Sequence, residues 1–307
     1  METAVSTKGD DRPGGVGRRF RRVARLLLPP FIVEAARRVS NGRPAPGPSE
    51  WEYLPRGWPE DDASIRGWDT DSVAETQLAR WPAFVHTVEG AAPFGLTDDA
   101  VRLPTEDEYG RHNTVMTFGY VLARATLGRD RLTMLDWGGG IGRYCIYAKA
   151  LLPEVELEYH SRDLPLLTRA GRQVLPGAIF HDDDDDALAG TYDLVLASGS
   201  LQYARDWRTM LGRLATATAG YLFVTRQPFV ASTPSYVVIQ RPHRLGYQTE
   251  YAGWFLNRGE FLDAARALGL HLEREFLVDE RPTVVGAPEQ GEYRGFLFSL
   301  ASGRRGR

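Results

Sequence analysis

The stretch "MLDWGGGIGRY", residues 134–144, decides how the rest of the chain is read. An apolar run ends in Asp136. Glycines at Gly138, Gly139, Gly140 and Gly142 then open a segment with helical character. Glycine loses more conformational freedom on ordering than any other residue, so such a cluster marks a tight turn or a close approach to a ligand.

Working outward, the chain from about residue 131 alternates short apolar runs with amphipathic segments. "RLTMLDW", "VELEYH", "GAIF", "YDLVLASG" and "GYLFVTRQ" predict five strands. Helices are expected between them, at "IGRYCIYAKALL", "LPLLTRAGRQVL" and "DWRTMLGRLATA". This rhythm predicts a parallel sheet with helices on both faces, right-handed crossovers, and a ligand beyond the carboxyl ends of the strands. Asp136, Asp163, Asp182 and Ser198 all fall at such ends and should gather on one rim. After the fifth strand the alternation stops for some thirty residues. A helix at "RGEFLDAARALG" and two long strands, "LHLEREFLVDE" and "EYRGFLFSLA", follow, the pair joined as an antiparallel hairpin.

The glycines do not suit a phosphate. A P-loop needs Lys and then Ser or Thr after its last glycine, where this chain has Arg143 and Tyr144. A dinucleotide fingerprint needs glycine spacings of two and three, and here the spacings are two and two. The pattern is D-x-G-x-G-x-G between a strand and a helix.

In these residues the chain resembles the class I S-adenosylmethionine-dependent methyltransferases, over about residues 131–300. The resemblance implies an α/β, Rossmann-like, doubly wound, seven-stranded and mostly parallel sheet with an antiparallel C-terminal hairpin, following an N-terminal helical extension. It implies S-adenosylmethionine as cofactor, with the loop Asp136, Gly138, Gly139, Gly140 and Gly142 against its methionyl and adenosyl parts. Asp163 lies about 20 residues beyond the loop, where an acid grips ribose hydroxyls. Its other reading is the cap of the helix at "LPLLTRAG". Asp182 or Asp183, in "FHDDDDD", would accept a hydrogen bond from the adenine amino group. Ser198, Gly199, Ser200 and Leu201, with Gln202, would flank the methionine and sulfonium. A metal site in the aspartate run is the lesser reading, because no further acid or Asn stands at a matching position. A narrower resemblance, at "LDWGGGIG", "YDLVLASGSLQY", "TRQPF", "HRLGYQTEYAGWFLNRGEFL", "WPAF" and "HNTVM", is to a bacterial family of methyltransferases known mainly from sequence. That family is often linked to surface-polysaccharide or other biosynthetic gene clusters.

Methyl transfer from a sulfonium releases a neutral leaving group, so an acid is not required, although an alcohol acceptor benefits from a base. Of six histidines, His243 in "RPHRLGYQ" is the first candidate, with His112 and Glu250 next. Tyr236, Tyr247 and Trp254 read as pocket lining. The region about 226–257 is expected to build the pocket for a small-molecule acceptor, and helices before residue 128 to cover it. A nucleotide-dependent oxidoreductase and a non-catalytic cofactor-binding scaffold are the alternatives.

Upstream, residues 1–17 read as a disordered leader, and 18–128 as a helical region. The basic stretch "GRRFRRVARLLLPPFIVEAARRV" reads either as a helix docked on the body or as a weak membrane-surface contact. Residues 41–60 read as a Pro- and Gly-rich linker. Helices are expected at "DSVAETQLARWPAFVHTVEG", capped by Asp71 or Ser72 and kinked or ended by Pro82, and at "TEDEYGRHNTVMTFGYVLARATLG", capped by Thr105 and stopped at Gly128. A net charge of −3 gives no whole-protein case for nucleic acid. The single Cys145 excludes an internal disulfide and a cysteine-rich zinc site, and fits a cytoplasmic location. No apolar run reaches the roughly 20 residues of a spanning helix.

Overall fold

The computed structural model describes residues 49–60, 65, 67–96 and 105–300. The expected leader and the basic stretch lie outside the described residues, and the membrane-surface reading with them. No helix among the described residues is long and apolar enough to cross a membrane.

The first described element is a short strand β1 (Trp51–Tyr53), inside the segment read as a linker. Helix α1 (Asp71–Glu89) follows Thr70, which makes no side-chain cap. Neither Asp71 nor Ser72 is the cap, and the helix runs through Pro82 to Glu89. Buried Val73, Trp81 and Val88 hold it on the body, and that packing overrides one missing backbone bond. Helix α2 (Glu106–Ala125) starts at Thr105 as the sequence predicts, and the structure adds a capping box there. Thr105 Oγ1 accepts from the Glu108 N–H, and Glu108 Oε2 accepts from the Thr105 N–H at 2.8 Å.

Then comes the alternating part: β2 (Arg131–Trp137), α3 (Arg143–Leu151), β3 (Glu156–Arg162), α4 (Pro165–Val174), β4 (Ile179–His181), α5 (Asp184–Leu188), β5 (Tyr192–Ser198), α6 (Trp207–Thr216) and β6 (Thr218–Val230). Two strands, β7 (Tyr236–Gln240) and β8 (Tyr251–Asn257), precede α7 (Arg258–Ala267), and β9 (Leu270–Leu277), β10 (Val284–Val285) and β11 (Glu292–Leu300) close the chain.

One path through the sheet runs β4–β3–β2–β5–β6–β11–β9. Its first five strands are parallel neighbours, and β11 lies antiparallel between β6 and β9. That is the doubly wound arrangement with a C-terminal antiparallel hairpin. Four more strands extend the sheet beyond the expected seven. The 13-residue β6 outruns β5, and its Phe229 and Val230 pair in parallel with β8. From β8 the extension continues through antiparallel β7 and β1 to β10. The stretch read as irregular after the fifth strand is therefore largely strand. Its two arms are separated by ten residues without a tight-turn signal, so no hairpin was legible there.

Side-chain alternation sorts the core. In β2, Leu132 and Met134 face a cluster with Val73 of α1, Phe118 and Leu122 of α2, Cys145 of α3 and Leu167 of α4. Leu135 and Trp137 face the other cluster, with Leu211 and Leu214 of α6 and Phe261 of α7. Asp136 shares the parity of Met134, so it points toward α3, under the glycine turn.

Candidate functional site

The turn from β2 to α3 is built by its four glycines. Gly139 has no room for a side chain. A Cβ there would stand 2.5 Å from Ser161 Oγ and 2.7 Å from Asp136 Oδ2. Gly140 is left-handed at φ +59, and a Cβ on it would meet Gln77 Oε1 of α1 at 3.1 Å. Gly138 lies directly against Ser200, and Gly142 against Leu175. The Gly138 N–H donates to the Arg162 carbonyl at 2.8 Å, which ties the turn to the end of β3.

Beneath the turn, Asp136 is 0% exposed. Its Oδ2 accepts a 2.6 Å hydrogen bond from the Tyr159 hydroxyl, and Oδ1 has no partner. Burial pushes the Asp136 carboxyl up to about 7; the Tyr159 bond opposes this, and the nearby charge of Asp163 adds to it. Asp163 is also buried. Its Oδ2 accepts from the Gly140 N–H and its Oδ1 from the Leu164 N–H, each at 2.7 Å. Burial raises its pKa while these two backbone donors pull it back. The helix cap of α4 is Leu164 rather than Asp163. Asp163 instead holds the glycine turn to the β3–α4 junction, and each carboxylate oxygen keeps a further lone pair.

Four of the five aspartates in the acidic run are exposed, Asp184 being the exception, yet each has a partner. Asp182 accepts from Thr168 and Arg172, and Asp183 caps α5 through the Asp186 N–H. Asp184 takes Trp137 Nε1–H at 2.7 Å and pairs with Arg162 at 2.7 Å. Asp185 pairs with Arg213, and Asp186 with His181. Among the described residues there is no group of three or more His, Cys, Asp or Glu able to hold a metal. The tie from Asp184 to Trp137 had no signal in a homopolymeric run.

The turn after β5 reaches the glycines. Ser198 Oγ and the Tyr144 hydroxyl share a 2.7 Å hydrogen bond, and Ser200 Oγ donates to the Trp137 carbonyl at 2.8 Å. Gly199 lies beside Arg226, and its N–H donates to the Thr225 carbonyl. Leu201 and Gln202 are buried, and Gln202 Oε1 has no partner. The structure thus gathers Asp136, the four glycines, Asp163 and Ser198–Gln202 at one rim. Asp182 and Asp183 lie at the β4–α5 end of that rim.

The three base candidates do not converge, and no hydrogen bond or ion pair joins any two of them. His243 is exposed on a 3-10 turn, His243–Leu245. Glu250 pairs with Arg241 at 3.1 Å. His112 Nδ1 is engaged by the Phe94 carbonyl at 3.0 Å. The 241–250 loop does reach the covered side: Gly246 packs near Thr76 and Arg80 of α1, the helix whose Gln77 stands over Gly140. Tyr247 joins an aromatic cluster in which Trp68 stacks on Tyr251 at 4.2 Å and meets Tyr203 edge-on. Tyr236 and Trp254 turn elsewhere, to Phe255 and to Trp58.

Residues that sequence reasoning passed over also stand at this rim. Arg226 has a left-handed φ of 49, and its Nη2 pairs with Glu280 at 3.1 Å. A bulky residue in that conformation carries strain, which concentrates at functional sites. Arg143 is the first residue of α3, where the helix dipole disfavours a cation. That local conflict was readable in the sequence.

No protein-family model and no curated protein matches this chain. Among solved structures it is similar to magnesium protoporphyrin IX methyltransferase from Synechocystis PCC 6803 with bound S-adenosylmethionine. The identity is 14%, over 75% of this chain and 94% of that chain, with a TM-score of 0.44. It is also similar to mitomycin 7-O-methyltransferase, at 18% identity over 75% and 71% of the two chains and a TM-score of 0.43. A third is 1,6-didemethyltoxoflavin-N1-methyltransferase from Burkholderia thailandensis, at 18% identity over 61% and 79%, with a TM-score of 0.40.

Proposed function

We propose that this chain is an S-adenosylmethionine-dependent methyltransferase acting on a small-molecule acceptor. The observation that carries the reading is the D-x-G-x-G-x-G turn at the carboxyl end of the central strand, joined through Gly140 to Asp163 and through Gly138 to Ser200. These are the segments that the sequence resemblance assigns to one cofactor. The glycine spacing, with Arg143 in place of a P-loop lysine, counts against a phosphate-bearing ligand.

In this reading the cofactor lies along Gly138–Gly140. The remaining lone pairs of Asp163 accept from the ribose diol, and Asp182 or Asp183 stands toward the adenine. Ser198–Leu201 flank the methionine. Asp182 is already engaged by Thr168 and Arg172 but keeps half of its side chain exposed, so it retains capacity for a further donor. The cofactor supplies an electrophilic methyl on a cationic sulfur. This chain's own residues align the acceptor, exclude water and hold charge. Helices α1 and α2 both pack against α3, and in this reading they form the lid over the turn. The finer expectation is O-methylation of a small or sugar-type biosynthetic intermediate.

A non-catalytic scaffold is favoured by one observation: His243, His112 and Glu250 do not converge, and His112 and Glu250 are already engaged. Incubation with methyl-deuterated S-adenosylmethionine and a metabolite extract, followed by mass spectrometry, separates the two. A labelled methyl on an acceptor supports the enzyme; stoichiometric cofactor binding with no labelled product supports the scaffold.

A further inference from the structure

Beyond the end of β6 the chain forms a cavity of about 580 Å³, a size at which small molecules are bound. No residue placed at the glycine turn lines it. Phe229 and Val230, the last residues of β6, and Pro282 give it an apolar surface. That surface is firm, because Phe229 packs on Phe261 of α7 with ring centres 5.1 Å apart. The charged part of the lining is Arg258, Arg281, Arg294, Glu289 and Glu292.

The three arginines belong to one continuous run of ion pairs. Arg258 Nη2 meets Glu275 Oε2 at 2.5 Å, and Glu275 Oε1 accepts from Arg294 Nη1 at 2.5 Å. Arg294 Nε donates to Glu292 Oε1 at 2.8 Å, and Glu292 Oε2 lies 3.4 Å from Arg281 Nε. Three cations therefore share two carboxylates. Glu289 does not make up the difference, since its charge is spent on backbone. Its Oε1 accepts from the Ala231 N–H at 2.9 Å, and its Oε2 from the Ser232 and Thr233 N–H groups at 2.9 and 2.7 Å.

The hydrogen-bonding capacity left over decides the sign of a ligand. An arginine brings more N–H donors than one carboxylate can take up. Arg258 spends only Nε and Nη2, both on Glu275. Arg281 touches Glu292 through Nε alone, and 71% of its side chain is accessible. The carboxylates, by contrast, are filled by the partners just named. Arg258 is also the first residue of α7, where the helix dipole disfavours a cation. The cavity thus offers donors and positive charge in surplus, beside an apolar surface.

We infer that this cavity binds a small organic anion, a carboxylate or a phosphate ester, at a site separate from the glycine turn and independent of the methyl-transfer reading. The anionic oxygens take the unspent N–H groups of Arg281 and Arg258, the two ends of the ion-pair run. The planar fork of arginine matches either oxyanion. The apolar body of the ligand lies on Phe229, Val230 and Pro282.

The test is calorimetric titration of the full chain with matched probes, benzoate against benzamide and phenyl phosphate against phenol. The wild type should bind at least one anion at one site per chain and not its neutral partner, and the better of the two anions tells carboxylate from phosphate. Arg281→Gln should weaken that anion by about tenfold or more. Arg294 still holds Glu292 in this variant, so no carboxylate is orphaned. Arg258→Gln, in which Arg294 still holds Glu275, should weaken it too. Thr283→Trp keeps every charge but fills the cavity from an exposed lining position, and should also remove binding. Each variant is first shown to melt cooperatively. Failure of both anions to bind the wild type, equal binding by Arg281→Gln, or binding that survives Thr283→Trp unchanged overturns the inference. S-adenosylhomocysteine affinity, measured on the same proteins, should be the same in all of them; loss of it in Arg281→Gln would merge this cavity with the cofactor site and overturn the inference as well.

Discussion

The Tyr159 hydroxyl of β3 donates a 2.6 Å hydrogen bond to Asp136 of β2, directly under the glycine turn. The pair forms a floor that fixes Gly139 as glycine, because a Cβ there would meet the same carboxylate. One residue pair therefore links the buried strand to the shape of the proposed cofactor surface.

That floor makes stability pH-dependent. The Asp136 carboxyl is raised from 3.8 to about 7 by burial, so the folded state holds a proton that the unfolded chain releases. The contribution is fully present below about pH 4 and is lost as pH rises through about 7, by on the order of 4 kcal/mol at most. Asp136→Asn should therefore show a smaller fall in melting temperature between pH 5 and pH 8 than the wild type. Parallel profiles would mean that Asp136 is ionised throughout.

The glycines should separate fold from ligand. Gly139→Ala drives a methyl into Asp136 and Ser161 and should cost about 1–3 kcal/mol of stability, partly restored by Ser161→Ala. Gly140→Val should abolish S-adenosylmethionine binding while a cooperative melt remains, at a cost of about 1–2 kcal/mol because its φ of +59 is strained for a β-branched residue and its Cβ would meet Gln77. Melting curves and calorimetry on both variants check the contrast.

Asp163→Ala removes an acceptor from the Gly140 and Leu164 N–H groups and, in the proposed reading, from the ribose. Affinity should fall by about one to two decades, by the same factor for S-adenosylmethionine and S-adenosylhomocysteine, because both carry the ribose. A drop in melting temperature with unchanged affinity would leave Asp163 as a brace for the turn alone.

His243 is exposed, so His243→Ala should change stability by no more than about 0.5 kcal/mol. Among the described residues no contact holds His243 toward the glycine turn, so the transfer rate should also be unchanged. A loss of about 10²-fold or more would restore His243 as the base.

Much of this was legible because local signals agreed. The alternating strands from Arg131 to Val230 and the helix start at Thr105 each follow from residue types at fixed spacings. The β1, β7 and β8 strands were not legible. β1 is three residues long among Pro and Gly, and the link between β7 and β8 carries no turn signature. Pro82 does not end the helix, because tertiary burial of Trp81 and Val88 outweighs one broken helix bond. At the site, the glycines and Asp163 announce themselves by spacing. Arg226 and Glu280 do not, because they lie 54 positions apart and meet only through the fold. Arg143 could have been found from its place at a helix start.

The central claim is that the glycine turn holds S-adenosylmethionine, and calorimetry with the purified chain tests it most directly. S-adenosylmethionine and S-adenosylhomocysteine should each bind at one site per chain, NAD should not bind, and Gly140→Val should remove the heat of both. Binding of NAD in their place, or S-adenosylmethionine binding that survives Gly140→Val unchanged, would contradict the account.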